Sequence, residues 1–185
     1  MTRVLVVGAG PTGLTAAVEL NRRGVEVEII DKRAEGSGLS RAVGITPQSL
    51  CLLYPSGVTD KLLAEGIHFR EARIYRRSEL GLTLPIRATP PKYGYDFILG
   101  LPQDRTEALL RETVEEAGVK VRFSTELTGL KEEESGVLAT VADGKSERYD
   151  YVLGADGVHS TTRKLLDIPF PGHDLSWLPS QVFGR

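Results

Sequence analysis

The sequence predicts an α/β fold in which helices cover an open parallel β-sheet and an antiparallel β-meander crosses over part of it. Three observations predict it. Residues 4–7 form an aliphatic run typical of a buried strand, and closely spaced glycines and a helical pattern follow. Residues 25–30 repeat the strand signal after that helix. Residues 119–153 then carry apolar runs separated by turn signals.

Composition excludes several classes of protein. The 185 residues are 41% hydrophobic and 26% charged, as expected of an ordinary globular domain. The net charge of −2 gives no electrostatic reason to expect nucleic acid or an anionic membrane as a partner. Cys51 is the only cysteine, which excludes an intrachain disulfide and a multi-cysteine metal site, and the three histidines do not fall at short ligand spacings, so we predict no metal site. No run resembles a signal peptide or a membrane span, and we expect a cytoplasmic protein.

In the first half of the chain, the first helix has Leu14, Ala17 and Val18 on its apolar face and ends at Gly24. Gly, Ser and charged residues at 32–44 predict a loop. Helices are predicted near 47–54 and 59–65. Strands of a separate antiparallel layer follow at 69–76 and 80–87, with a buried strand at 97–101.

In the second half, Asp104 with Glu107 three positions later is typical of a capping box, which predicts a helix that continues to Gly118. Residues 119–123 resume the parallel sheet. The meander is predicted over 126–131, 136–142 and 147–153, and its last strand returns to the main sheet.

The glycine pattern at the start of the first helix is the strongest single motif. Gly8, Gly10 and Gly13 lie between a predicted strand and a predicted helix, which is the context that a dinucleotide-binding βαβ unit requires. Gly8 permits the tight turn, Gly10 allows the backbone to approach a pyrophosphate, and Gly13 allows close packing of helix on strand. Pro11 suits the first helical turn, where its missing N–H costs little.

Asp31 ends the second strand, 18 residues after Gly13. At this spacing an acidic group can accept hydrogen bonds from adenosine ribose hydroxyls. The competing interpretation is a simple glycine turn, with Asp31 as a surface loop residue. The two features together favour a Rossmann-like nucleotide site, but this unit serves both NAD and FAD.

A second motif begins at Gly154-Ala155-Asp156-Gly157, where an apolar strand delivers a carboxylate at its carboxyl end. Ligands of open α/β sheets bind at that edge. In the alternative interpretation, Asp156-Gly157 is only a turn, Ser160 or Thr161 caps a short helix, and Arg163 lies on that helix's solvated face. The residues alone do not decide between the two.

The combination of motifs resembles the N-terminal part of the class A flavoprotein monooxygenases, which are aromatic hydroxylases with the p-hydroxybenzoate hydroxylase fold. The likeness extends from residue 3 to about residue 172. Besides the glycine motif and Asp31, it rests on three further segments, namely Ser40-Arg41-Ala42 with residues 45–50, Leu101-Pro102-Gln103, and residues 154–163.

The resemblance implies FAD as cofactor, NADH or NADPH as co-substrate and a small aromatic, phenolic or polyketide-like molecule as substrate. It implies that Asp156 lies near the FAD pyrophosphate with Arg163 as its helical support, Arg41 near the flavin and Gln103 on the ribitol chain. Because the flavin carries the oxygen chemistry, no catalytic side chain is required. The predicted cofactor-binding residues are Gly8, Gly10, Pro11, Thr12, Gly13, Asp31, Lys32, Arg33, Arg41, Gln103, Asp156, Gly157 and Arg163.

We therefore expect an FAD-binding domain at residues 1–172, within which residues 67–99 contribute to a substrate-side β layer. Residues 173–185 form a tail or the start of a truncated second domain. Family members carry a second Gly-Asp motif, which is missing from these 185 residues. The chain is then a fragment, a truncated gene product or a protein whose site another chain completes. Alternatives to a monooxygenase are a non-catalytic nucleotide-binding module and another FAD oxidoreductase, such as a reductase or halogenase.

Overall fold

The computed structural model describes residues 1–36, 44–86 and 94–172. In chain order the elements are β1 (Arg3–Val7), α1 (Pro11–Arg22), β2 (Glu26–Ile30), β3 (Gly44–Ile45), α2 (Pro47–Leu53), a 3-10 turn (Tyr54–Ser56), α3 (Val58–Glu65), β4 (Ile67–Phe69), β5 (Glu71–Arg76), β6 (Glu79–Pro85), β7 (Ile98–Gly100), α4 (Gln103–Glu116), β8 (Val121–Arg122), β9 (Leu127–Glu133), β10 (Gly136–Val141), β11 (Ser146–Tyr149), β12 (Tyr151–Gly154) and α5 (Thr161–Leu165).

The main sheet confirms the predicted α/β class. Its four strands are parallel and lie in the order β12-β1-β2-β8. The chain passes from β1 through α1 to β2, so the predicted βαβ unit forms the centre of this sheet. All four strands therefore bring their carboxyl ends to one edge, where a ligand can reach them.

The two faces of the sheet are covered by different layers. Val4 and Val6 of β1 pack with the apolar faces of α1 and α4, whereas Leu5 and Val7 pack with residues of the meander. Successive side chains of a strand point to opposite faces, so β1 alone contributes to both cores. This double burial explains why residues 4–7 carry no polar side chain.

The described residues also form three antiparallel sheets. Strands β9, β10 and β11 form the predicted meander, in the order β11-β10-β9. Strands β5 and β6 form a hairpin of their own, as the pattern over 69–76 and 80–87 predicts. Strand β7 pairs with β3 and β4, two short strands that the sequence pattern did not separate from their neighbours.

The predicted strand at 147–153 is wrong in one respect, because it is two strands. β11 ends at Tyr149 in the meander, and β12 begins at Tyr151 beside β1. Asp150 lies between them, where its N–H donates to the Arg3 carbonyl at 3.0 Å and its carboxylate accepts the Arg3 N–H at 2.7 Å. The chain thus changes sheets at Asp150 without a turn that local sequence could reveal.

The predicted capping box on α4 is also wrong. The helix begins at Gln103, one residue before Asp104, and Pro102 occupies the N-cap position without a side-chain cap. Asp104 lies inside the first turn, where a negative charge still favours the helix dipole. Glu107 accepts a hydrogen bond from the Gln103 side chain, a contact that concerns the functional site.

A polar cluster fastens the meander to the main sheet. The Tyr149 hydroxyl of β11 donates to Glu28 of β2 at 2.8 Å, and Arg122 of β8 forms an ion pair with the same carboxylate. The Arg3 guanidinium lies 4.8 Å from the centre of the Tyr149 ring. Burial and the hydrogen bond to Glu28 raise the pKa of Tyr149 well above its usual range. These contacts hold the meander against the main sheet.

Candidate functional site

A cleft of 620 Å³ opens at the carboxyl edge of the parallel sheet, between the ends of β1, β2 and β12 and the start of α4. Ten of the residues that the sequence predicts for cofactor binding line it, namely Gly8, Gly10, Pro11, Thr12, Asp31, Lys32, Arg33, Gln103, Asp156 and Gly157. Segments far apart in sequence therefore meet in one place, as the motifs require of a single ligand site.

The turn after β1 is held at both sides. The Gly8 N–H donates to the Ile30 carbonyl at 2.8 Å, and the Ala155 N–H donates to the Val7 carbonyl at 2.8 Å. Gly8 has a φ of +108°, and a Cβ there would lie 2.4 Å from the Ala155 oxygen. Only glycine fits between these strand ends, so the turn couples the glycine motif to the Asp156 segment.

The other two glycines of the motif differ in their surroundings. A Cβ on Gly13 would lie 1.9 Å from the Gly8 oxygen, whereas a Cβ on Gly10 would meet no protein atom within 4 Å. Gly13 therefore serves close packing inside the protein. Gly10 borders open space at the N-terminus of α1, where backbone N–H groups and the helix dipole favour an anion.

Asp31 is 7% exposed and accepts several hydrogen bonds. Its Oδ2 accepts the Ala9 N–H at 2.8 Å, and its Oδ1 accepts the Arg33 N–H at 2.8 Å. The Arg33 guanidinium completes an ion pair, with Nη2 at 2.8 Å from Oδ2. Burial alone would raise the pKa of Asp31, but the hydrogen bonds from Arg33 and Ala9 outweigh it and lower the pKa.

This lowered pKa predicts how stability depends on pH. The contribution of Asp31 is fully present above pH 3.8, the ordinary value for Asp, and is lost as the pH falls through the lower pKa of the folded state. We expect Asp31→Asn to be less stable at neutral pH but to lose less stability on acidification. Urea unfolding midpoints from about pH 6 to about pH 3 would measure this. The exposed Asp167→Asn serves as control, and parallel pH curves for Asp31→Asn and wild type would contradict the prediction.

Asp156 is tied to the start of α5. Its carboxylate accepts the Ser160 hydroxyl at 2.5 Å and the Thr162 N–H at 2.9 Å. Burial alone would raise its pKa, but these bonds hold the pKa below its usual value. Ser160 is the N-cap of α5 and accepts the Arg163 N–H. Ser160 therefore caps the helix as the alternative interpretation predicts, whereas the turn lies at Val158-His159, after Asp156-Gly157, and Asp156 also lines the cleft.

Two of the predicted residues, Gly13 and Arg163, are described but do not line the cleft. Gly13 packs against Gly8. Arg163 donates to the Val158 carbonyl at 2.8 Å and lies over the Phe170 ring, so Ser160 and Thr162, rather than Arg163, contact the Asp156 carboxylate. Arg41 lies outside the described residues, as does the predicted tail at 173–185.

Sequence reasoning missed other residues that line the cleft. Thr125 and Glu126 follow β8 and line the cleft. The predicted place of β8 in the parallel sheet could have indicated that residues after its carboxyl end reach the site. His159 also lines the cleft. Glu107 of α4 is 5% exposed and lines the cleft beside Gln103. The sequence pattern assigned it to a helix cap, which hid its place in the site.

The described residues lack two features that would bear on function. No cluster of three or more His, Cys, Asp or Glu side chains suited to a metal ion occurs in residues 1–36, 44–86 and 94–172. Among the helices in these ranges, none combines the length and hydrophobicity needed to cross a bilayer.

Comparison with known proteins identifies similar sequences across nearly the whole chain. A family model described as an FAD binding domain matches residues 1–183. A rifampicin monooxygenase from Streptomyces venezuelae is 37% identical over 182 residues, which cover 98% of this chain and 36% of the relative. A dialkyldecalin synthase from Streptomyces rugosporus is 31% identical over 171 residues, covering 92% of this chain and 35% of the relative.

A solved structure shows the same fold. The crystal structure of a flavin-dependent monooxygenase in complex with FAD and substrate matches with a TM-score of 0.78 and 28% identity. The match covers 90% of this chain and 32% of that one. The chain thus spans about a third of the length of the curated relatives described above.

Proposed function

Because the chain belongs to the family of FAD binding domains, we propose that the cleft at the carboxyl edge of its parallel sheet holds FAD. The open space at Gly10 carries this proposal. It lies beside the N-terminus of α1, a helix of 12 residues with Pro11 in its first turn. A pyrophosphate fits there because its charge matches the helix dipole and because Gly10 leaves room for close approach.

Asp31 is proposed to bind the adenosine ribose. It lies just after β2 and lines the cleft, and both its carboxylate oxygens accept hydrogen bonds from Arg33, which also lines the cleft. Arg33 already occupies part of the acceptor capacity of this carboxylate, so the ribose hydroxyls would share Asp31 with the guanidinium. Lys32 and Arg33 add positive charge beside the anionic cofactor.

The remaining predicted residues are proposed to hold the part of FAD beyond the adenosine. Asp156 and Gly157 line the cleft beside the glycine turn, and Gln103 lines it from the start of α4. We propose that Asp156 lies near the pyrophosphate and that Gln103 contacts the ribitol chain. Arg41 near the flavin and Arg163 as a support of the Asp156 segment complete the proposed set.

For the whole protein we propose an FAD-dependent monooxygenase that consumes NADH or NADPH and acts on an aromatic, phenolic or polyketide-like molecule. FAD supplies the redox and oxygen chemistry, and the described residues bind and orient it. The rifampicin monooxygenase relative supports this activity. We propose that residues 67–99 belong to the substrate side, and that a further region or a second chain completes the site. A cytoplasmic location fits the single free Cys51.

A second candidate is an FAD-binding protein that catalyses another reaction. The dialkyldecalin synthase among the relatives favours it, because its name denotes no oxygenation. NADH or NADPH consumption that an aromatic substrate stimulates would favour the monooxygenase. Conversion of substrate without consumption of reduced nucleotide would favour the second candidate.

Binding of FAD is the first expected result. The purified chain should take up FAD with a flavin absorption spectrum, and ADP should compete because it occupies the adenosine and pyrophosphate positions. Isothermal titration with FAD and with ADP would measure both affinities. A chain that is folded by circular dichroism but binds neither molecule would contradict the proposed function.

A further inference from the structure

Glu107 is a buried carboxylate to which the proposed roles give no task. Its side chain is 5% exposed, and it lies on α4 one helical turn after Gln103. Its neighbours on the helix, Leu109 and Leu110, belong to the apolar core. An ionisable group is costly to bury, so a glutamate at such a position must make contacts that compensate.

The hydrogen bond between Glu107 and Gln103 has a defined donor and a defined acceptor. Nε2 of Gln103 donates to Oε1 of Glu107 at 2.7 Å. An ionised carboxylate only accepts hydrogen bonds, whereas a glutamine amide has one donating and one accepting end. Glu107 therefore selects one of the two orientations of the amide, with the nitrogen toward Glu107 and the oxygen Oε1 turned away from it.

Both residues line the cleft together with Arg33 of the adenosine side. The hydrogen bond with Asp31 is the main cause that raises the pKa of Arg33, and the charge of Glu107 adds to it. The Glu107 carboxylate therefore borders the cleft and also contacts Gln103 of its own helix. FAD carries a ribitol chain with several hydroxyl donors, which a carbonyl oxygen suits as acceptor.

We propose that Glu107 is a positioning residue that fixes the Gln103 amide with its oxygen toward a ribitol hydroxyl of FAD. This inference rests on the proposed function. Glu107 would not contact the cofactor through this route, and its effect on binding passes through Gln103. ADP lacks the ribitol chain, so Glu107 should matter for FAD and not for ADP.

Glu107→Gln tests the inference because it keeps the shape of the side chain and removes its acceptor-only character. We expect the dissociation constant for FAD to rise about tenfold and that for ADP to stay within about twofold. Glu115→Gln, an exposed change on the same helix, is the matched control and should change neither constant. Isothermal titration of the whole chain with FAD and with ADP gives both constants.

A double-mutant cycle separates positioning from a general structural effect. In a Gln103→Ala background, Glu107→Gln should change FAD affinity by less than about twofold, since the amide it positions is gone. Additive effects of the two changes would overturn the inference. So would an equal loss of FAD and ADP affinity, or an unchanged FAD affinity in Glu107→Gln.

A conservative variant keeps the test decisive if Glu107→Gln does not fold. Glu107→Asp keeps the charge but withdraws the carboxylate from Gln103 by one methylene, and the same cycle applies to it. Failure of the inference is distinguishable from failure of the proposed function. If the folded wild-type chain binds no FAD, the proposed function fails, whereas additive losses from a measurable wild-type affinity refute only the role of Glu107.

Discussion

Replacing Gly10 with valine is expected to abolish FAD binding while the fold stays intact. The backbone of Gly10 has a φ of −84° and a ψ of −177°, which any residue adopts, and a Cβ there meets no protein atom within 4 Å. The new side chain would project into the space proposed for the pyrophosphate. We expect an affinity loss of about a hundredfold or more, or about 3 kcal/mol, by isothermal titration.

Gly172→Val is the matched control for this variant. Gly172 also has no protein atom within 4 Å of an added Cβ, but it does not line the cleft. Its FAD affinity should equal that of the wild type, and urea unfolding should give similar stabilities for both variants. Wild-type affinity in Gly10→Val would mean that the cofactor does not approach the backbone at Gly10.

The sequence predicts the centre of this fold well because local patterns determine it. The aliphatic run of β1, the glycine turn and the apolar face of α1 are each short-range signals, and they agree with one another. Asp31 could be placed in the site for the same reason, since the end of β2 follows from one strand pattern. The meander was predictable from its turns at Gly136 and Gly144.

The remaining features depend on contacts between distant segments. The break at Asp150 arises because β11 pairs with β10 whereas β12 pairs with β1. No glycine or proline marks this change of pairing partner in the sequence. Thr125 and Glu126 reach the cleft only because β8 pairs with β2. The role of Glu107 was hidden because a glutamate three residues after Asp104 satisfies a capping pattern equally well.

Replacing Gly13 with alanine is expected to have the opposite effect to Gly10→Val, because it should damage the fold itself. Its Cβ would lie 1.9 Å from the Gly8 oxygen and 3.2 Å from the Val6 side chain. The Gly8 backbone cannot shift easily to make room, because its N–H donates to the Ile30 carbonyl and because it already lies close to the Ala155 backbone. Overpacking of this kind should lower the free energy of unfolding by about 3 kcal/mol.

Urea unfolding without FAD would measure this loss separately from binding. Gly10→Ala is the matched control, because it adds the same methyl group to the same motif, where there is space for it. Its free energy of unfolding should stay within about 1 kcal/mol of the wild type, a margin that allows for the preference for glycine over alanine at the N-cap position that Gly10 occupies. Alanine has the higher helix propensity, by about 1 kcal/mol, so any loss at Gly13 measures steric overlap and not helix preference. Wild-type stability in Gly13→Ala would show that helix and turn do not pack as closely as the structure indicates.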